Sequence, residues 1–120
     1  RSFAGHGDPL KAMIMEAARH RGYALVDILQ PCVSFNRVND YKWFEDHTYR
    51  LEEGYDPTYR QAAFGKAMET DRMPLGVIYR KPGRKTFEDQ QPAWVEDSRP
   101  LYKRETDMEK LRELVESFRG

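Results

Sequence analysis

The side chain best equipped for chemistry here is a thiol. Cys32, the only cysteine, stands in Gln30-Pro31-Cys32-Val33-Ser34-Phe35-Asn36-Arg37, directly after the most apolar run of the chain, Tyr23-Ala24-Leu25-Val26-Asp27-Ile28-Leu29. A thiolate serves as nucleophile or metal ligand, and in both roles it needs company. As a nucleophile it needs a base beside it, and no neighbour in sequence supplies one; His20 would have to approach through the fold. As a metal ligand it needs thiolates from elsewhere, because one sulfur holds no cluster. The third reading is space-filling, since cysteine is among the most buried residue types. From the residues alone the three stay open.

The remaining reactive groups carry less. His6, His20 and His47 lack the H-x-x-x-H spacing of a metal pair. Arg80, Lys81, Arg84 and Lys85 flank Pro82-Gly83 and suit phosphate, yet Glu88, Asp89, Glu96 and Asp97 follow at once. That alternation of sign reads as a solvated loop or docking arm. Tyr41, Trp43, Phe44, Tyr49 and Tyr55 read as core or interface aromatics, not a base-stacking platform. There is no phosphate-binding glycine loop, dinucleotide fingerprint, paired-carboxylate motif or serine elbow.

The elements that must position the thiol follow from pattern and punctuation. Asp8-Pro9 is a helix start, with Leu10, Met13, Ile14, Ala17 and Ala18 at helical spacing and Gly22 to end it. The run Tyr23–Leu29, ended by a proline, predicts a strand buried on both faces. Cys32 then occupies the loop at its carboxyl end, where ligands and cofactors sit in open α/β sheets. Asn39 or Asp40 caps a short helix with Trp43 and Phe44. Asp56-Pro57 opens a helix to about Glu69, and Leu75–Tyr79 predicts a second strand. Arg80 to Pro100 reads as an extended arm anchored through Trp94 and Val95. Thr106-Asp107-Met108-Glu109 reads as a capping box before a last helix with a buried stripe of Met108, Leu111, Leu114, Val115 and Phe118. The order is that of an α/β layer protein with a partial parallel sheet flanked by helices, divided into 1–79, the α/β segment, and 80–120, the arm and terminal helix.

Two strands make a poor sheet by themselves. Burying Leu25, Val26, Ile28 and Leu29 contributes at most about 1.5–3 kcal/mol each, against about 1–2 kcal/mol per residue to fix the backbone. The first strand therefore has to dock onto other protein. Arg1 in place of an initial methionine fits an excised segment or a processed chain. With 20 basic and 20 acidic residues the charge is balanced, so no global field favours nucleic acid or an anionic membrane. No apolar stretch approaches the ~20 residues of a membrane span, and no signal segment opens the chain. A reducing, cytoplasmic setting is the expectation.

The run Tyr23 to Asn36 resembles the carboxyl-terminal part of the thiamine-diphosphate-binding β subunit of 2-oxoacid:ferredoxin oxidoreductases. Arg1-Ser2-Phe3-Ala4-Gly5 with Asp8, His20-Arg21-Gly22-Tyr23, Gly54-Tyr55-Asp56-Pro57-Thr58, Ala62-Ala63-Phe64, and Met73-Pro74-Leu75-Gly76-Val77-Ile78-Tyr79 resemble the same family in the same order. The likeness covers about Arg1 to Phe87. It implies the carboxyl-terminal portion of a thiamine-diphosphate-binding fold. It also implies an enzyme that turns a 2-oxoacid, coenzyme A and oxidised ferredoxin into an acyl-CoA, carbon dioxide and reduced ferredoxin. Thiamine diphosphate with magnesium supplies the carbanion chemistry in such enzymes, and a four-iron, four-sulfur cluster takes the electrons.

By the same resemblance Cys32 matches the cluster's fourth ligand, the other three cysteines lying in the amino-terminal part of the β subunit. Gln30, Pro31, Ser34 and Asn36 would shape the loop and offer hydrogen bonds to the cluster sulfurs, tuning its potential. The thiamine and magnesium motif and the other cysteines are absent from this sequence. The chain is then inactive alone, and its partners are the rest of the β subunit, the α subunit and ferredoxin, with 2-oxoacid and coenzyme A as substrates. The oxoacid stays open between 2-oxoglutarate, pyruvate and others. The alternative is a non-catalytic docking or subunit-interaction module with a structural cysteine.

Overall fold

A computed structural model describes residues 1–119. The chain divides into two units, Arg1–Thr86 and the remainder from Phe87. The first is an α/β layer made of two parallel strand pairs. β1 (Ser2–Phe3) runs through helix α1 (Gly7–Arg19) to β2 (Ile28–Leu29), with Ser2 opposite Ile28 and Phe3 opposite Leu29. After α2 (Tyr41–Asp46), β3 (Thr48–Arg50) runs through α3 (Arg60–Met68) to β4 (Met73–Leu75). Parallel neighbours need a long crossover, usually a helix, and α1 and α3 supply one for each pair.

A reciprocal backbone pair joins the two. The Arg1 nitrogen donates to the Gly76 carbonyl at 2.8 Å, and the Gly76 N–H donates to the Arg1 carbonyl at 2.9 Å. Gly76 holds φ at +142°, and a Cβ there would stand 3.0 Å from Leu51 Cδ1, so both torsion and space ask for glycine. Pro74 lies inside β4, with its side chain fully buried. The ladder bonds run from the Met73 N–H to His47 and from Leu51 to the Leu75 carbonyl. The Pro74 nitrogen therefore faces away from β3, and its missing donor removes no ladder bond.

Phe3 is the centre of the packing, with no exposed surface. Its ring meets His6 edge-on at 5.1 Å, Phe44 at 5.6 Å and Tyr41 at 5.9 Å. Asp40 accepts the Trp43 N–H at 2.8 Å and so caps α2, which sets Tyr41 and Phe44 against Phe3. Ala63 of α3 and Leu75 complete the buried apolar set.

Several expectations are corrected. Only Ile28–Leu29 of the predicted strand Tyr23–Leu29 is paired, and Tyr23 and Leu25 are 83 % and 77 % exposed. A strand buried on both faces requires layers that this unit does not contain. The second strand is Met73–Leu75, not Leu75–Tyr79, because the positive φ of Gly76 ends it. Helix α1 begins at Gly7 behind His6, with Asp8 inside its first turn, and it ends before the turn at Gly22 (φ +112°). Helix α3 begins at Arg60, because Asp56 is spent on the Thr58 N–H and hydroxyl at 2.8 and 2.7 Å.

The second unit holds a 3-10 turn at Glu88–Gln90, α4 (Pro92–Glu96), a 3-10 turn at Leu101–Lys103 and α5 (Met108–Ser117). The stretch read as an extended arm is thus partly helical. Trp94 is half-buried under the Arg104 guanidinium at 4.9 Å, while Val95 is exposed. Arg99, hydrogen-bonded to Asp97, holds that carboxyl down at about 2. Asp107, not Thr106, caps α5 by accepting the Glu109 and Lys110 N–H groups at 3.1 Å. The stripe Met108, Leu111, Leu114, Val115 and Phe118 is exposed, not buried, among the described residues.

Candidate functional site: the Cys32 loop

Residues 30–39 leave the carboxyl end of β2 as a hydrogen-bonded knot. Pro31 is buried and fixes the approach to Cys32, whose side chain is free and exposed. The Cys32 carbonyl accepts the Asn36 N–H at 2.8 Å and the Phe35 N–H at 3.1 Å. Asn36 then ties the far side: its Oδ1 accepts the Val38 and Asn39 N–H groups at 3.0 and 3.1 Å, and its Nδ2 donates to Asn39 Oδ1 at 2.7 Å. Both polar atoms of Asn36 are thus engaged by the loop itself. Gln30 and Ser34 are exposed, and among the described residues their side chains make no hydrogen bond. Around the knot Val33 and Val38 are exposed, and Phe35 is 94 % exposed.

The Cys32 thiol is exposed and fills no space between the described residues. Among the described residues no side chain hydrogen-bonds the Cys32 thiol as a base would. His47 stacks on Trp43 at 4.0 Å with Nδ1 2.7 Å from the Trp43 carbonyl, His6 lies against Phe3, and His20 ends α1. Among the described residues no three His, Cys, Asp or Glu side chains are grouped to hold a metal ion.

Two further features escape sequence reasoning. Tyr49 of β3 donates to Glu69 Oε2 and accepts from Lys66 Nζ at 2.8 Å, while Lys66 Nζ lies 3.2 Å from Glu69. Burial, then the bond to Glu69, pushes the Tyr49 phenol up, and the Tyr49 hydroxyl in turn holds the Glu69 carboxyl below the usual range. These residues are 17 and 20 positions apart from Tyr49, so no local spacing announces them. An open cleft of about 340 Å³ lies beyond the carboxyl ends of β3 and β4, lined among others by Arg1, His6, Met13, Arg50, Leu75 and Val77. Cys32 does not line it.

Residues 32–96, more than half of the chain, match the family described as the C-terminal part of the pyruvate ferredoxin oxidoreductase beta subunit. The chain belongs to that family. Subunit beta of 2-oxoacid:ferredoxin oxidoreductase 2 from Aeropyrum pernix is 45 % identical, with 74 % of this chain and 33 % of the relative covered. The 2-oxoacid:ferredoxin oxidoreductase subunit beta of a Sulfolobus species is 31 % identical over the same shares. This chain spans about a third of the length of these curated relatives.

In fold it is similar to a 2-oxoglutarate:ferredoxin oxidoreductase from Magnetococcus marinus, solved with 2-oxoglutarate, coenzyme A and succinyl-CoA bound. That likeness has a TM-score of 0.74 at 24 % identity, covering 94 % of this chain and 38 % of the other. The match to the oxidoreductase family begins at Cys32 itself.

Proposed function

We propose that this chain is the carboxyl-terminal part of the β subunit of a 2-oxoacid:ferredoxin oxidoreductase, and that Cys32 Sγ binds one iron of its four-iron, four-sulfur cluster. The exposed thiol on a braced loop, with no co-ligands grouped beside it among the described residues, is the observation that carries this reading. Family membership supports it. When bound, the cluster supplies one-electron steps between the thiamine-held substrate and ferredoxin.

What this chain does is hold a sulfur. Pro31 limits the backbone before Cys32, the Phe35 and Asn36 amides hold its carbonyl, and Asn36 fixes the following turn. Asn36 thus sets the cluster's surroundings through loop shape, and the exposed Gln30 and Ser34 side chains are available to hydrogen-bond cluster sulfurs.

Thiamine diphosphate and magnesium are held by polypeptide outside this chain. The substrates are a 2-oxoacid and coenzyme A, the products an acyl-CoA and carbon dioxide, with ferredoxin as electron acceptor. Among 2-oxoacids, 2-oxoglutarate and pyruvate are the first to assay. Residues 1–79 form a layer of the thiamine-binding domain, and 80–120 form an arm and helix that hold neighbouring polypeptide, the α subunit included. No helix among the described residues is long and apolar enough to cross a membrane, and the assignment is to the cytoplasm. The test is Cys32→Ser in the intact enzyme. Loss of iron, of the iron–sulfur absorbance and of ferredoxin reduction supports the assignment; a fully loaded, active variant returns Cys32 to a structural role in a docking module.

A further inference from the structure

Beyond the loop's own bonds, one ion pair reaches the run that carries it. We infer that Arg1 and Asp27 are positioning residues for the Cys32 sulfur: their bond sets the tilt of β2, and through β2 the place from which the thiol meets a shared iron. The inference rests on the ligand reading of Cys32 and adds the residues that direct it.

The backbone alone holds β2 along a line. Only Ile28 and Leu29 are paired with β1, and the Asp27 and Leu29 carbonyls accept the Ser2 and Ala4 N–H groups at 2.8 and 2.9 Å. Bonds strung along one edge leave a strand free to tilt about that edge. Packing does not stop the tilt, because Tyr23, Leu25 and Ile28 are all exposed. An attachment away from the edge does, and side chains, which stand out of the plane of the strands, are placed to give one.

Arg1 Nε donates to Asp27 Oδ2 at 2.7 Å. Among the described residues no other side-chain hydrogen bond or ion pair joins residues 20–39 to the rest of the first unit. The Arg1 end is firm. Its backbone is bonded both ways to Gly76, its side chain is only 18 % exposed, and a planar guanidinium loses less freedom per bond than an ammonium. Asp27 is 50 % exposed, so the pair adds little to global stability. What it adds is direction shortly before the sulfur, with buried Pro31 stiffening the path between.

The experiment uses the intact enzyme with Asp27→Ala, Arg1→Met and the double variant. It reads loss of the cluster to a chelator, the paramagnetic resonance spectrum of the reduced cluster, and Tm. Substituting residues that orient a metal ligand costs about 10–100-fold in metal affinity or activity. At this remove the low end applies, so each single variant should lose its cluster about 10-fold faster and show an altered spectrum. Because both residues act through one bond, the double variant should also lose it about 10-fold faster, not about 100-fold. Tm should stay within about 4 °C of the parent, the reach of one exposed ion pair.

Unchanged chelation and spectrum in Asp27→Ala overturn the inference. So does an additive double variant, which would mark two independent charges, and so does a larger fall in Tm, which would mark general loosening. Arg1→Met alone carries the same readouts if Asp27→Ala does not accumulate. Cys32→Ser separates the inference from the reading beneath it. Iron retained there sinks the ligand assignment and the inference together. Iron lost there, beside an Asp27→Ala enzyme indistinguishable from the parent, sinks the positioning role alone.

Discussion

Gly5 offers a sharp test of the packing that carries the loop. A Cβ built at Gly5 stands 2.4 Å from Phe3 Cε1, 2.7 Å from Cζ and 3.2 Å from Cδ1. The Phe3 ring cannot retreat, because His6, Tyr41 and Phe44 surround it and it has no exposed surface. Two effects compete in Gly5→Ala. Restricting the unfolded chain favours alanine by about 0.4–1 kcal/mol where the native torsions allow it, and Gly5 is not among the positive-φ glycines. Overpacking a filled site costs about 1–3 kcal/mol. A 2.4 Å approach to a hemmed-in ring puts that cost at about 2–3 kcal/mol, so the clash wins with a net loss of about 1–2.6 kcal/mol. At about 2–4 °C per kcal/mol for a large domain, scanning calorimetry of the intact subunit should show Tm lower by about 2–10 °C. Adding Phe3→Leu should return part of the loss, because the leucine removes the ring atoms that collide. A Gly5→Ala variant as stable as the parent, or a strictly additive double variant, would refute the reasoning and with it the central place of Phe3.

Other outcomes follow from the same geometry. Asn36→Ala removes three loop hydrogen bonds and should shift the cluster midpoint potential in the intact enzyme while iron content holds; an unchanged potential in redox titration counts against the loop's role. Asp40→Ala should cost about 1 kcal/mol in urea unfolding, the worth of one amino-terminal cap. Tyr49 is protonated in the fold to higher pH than the ordinary phenol value of 10.0, through burial first and the bond to Glu69 second. Its contribution is complete below that value and lost as pH rises through the higher folded one, so Tyr49→Phe should flatten the alkaline fall of the urea midpoint.

Legibility tracked how local each cause is. Asp40 and Asp107 lie one step before the turns that they cap, and both caps can be read at short range, although the second displaced Thr106. The Cys32 loop was visible because proline, cysteine and asparagine punctuate it within seven residues. β1 and β3 were not, since strands of two and three residues carry no period to detect. Phe3 therefore escaped notice as the core, and so did Tyr49 with partners many residues downstream. Tyr23–Leu29 misled in an instructive way. Its composition suits a fully covered strand, whereas its surroundings here cover it only in part. The terminal helix has the same character: Leu111 and Val115 sit on a stripe that is exposed among the described residues.

The reciprocal bond between Arg1 and Gly76 has a mechanical consequence. The two strand–helix–strand halves meet there through a pair of hydrogen bonds, with the Phe3 cluster bracing one side and the cleft lined by Arg1 and Arg50 opening beside it. Arg1 also donates through Nε to the Asp27 carboxylate at 2.7 Å, so a pull at the start of the chain loads the run into β2, which leads to the sulfur, as directly as it loads Gly76.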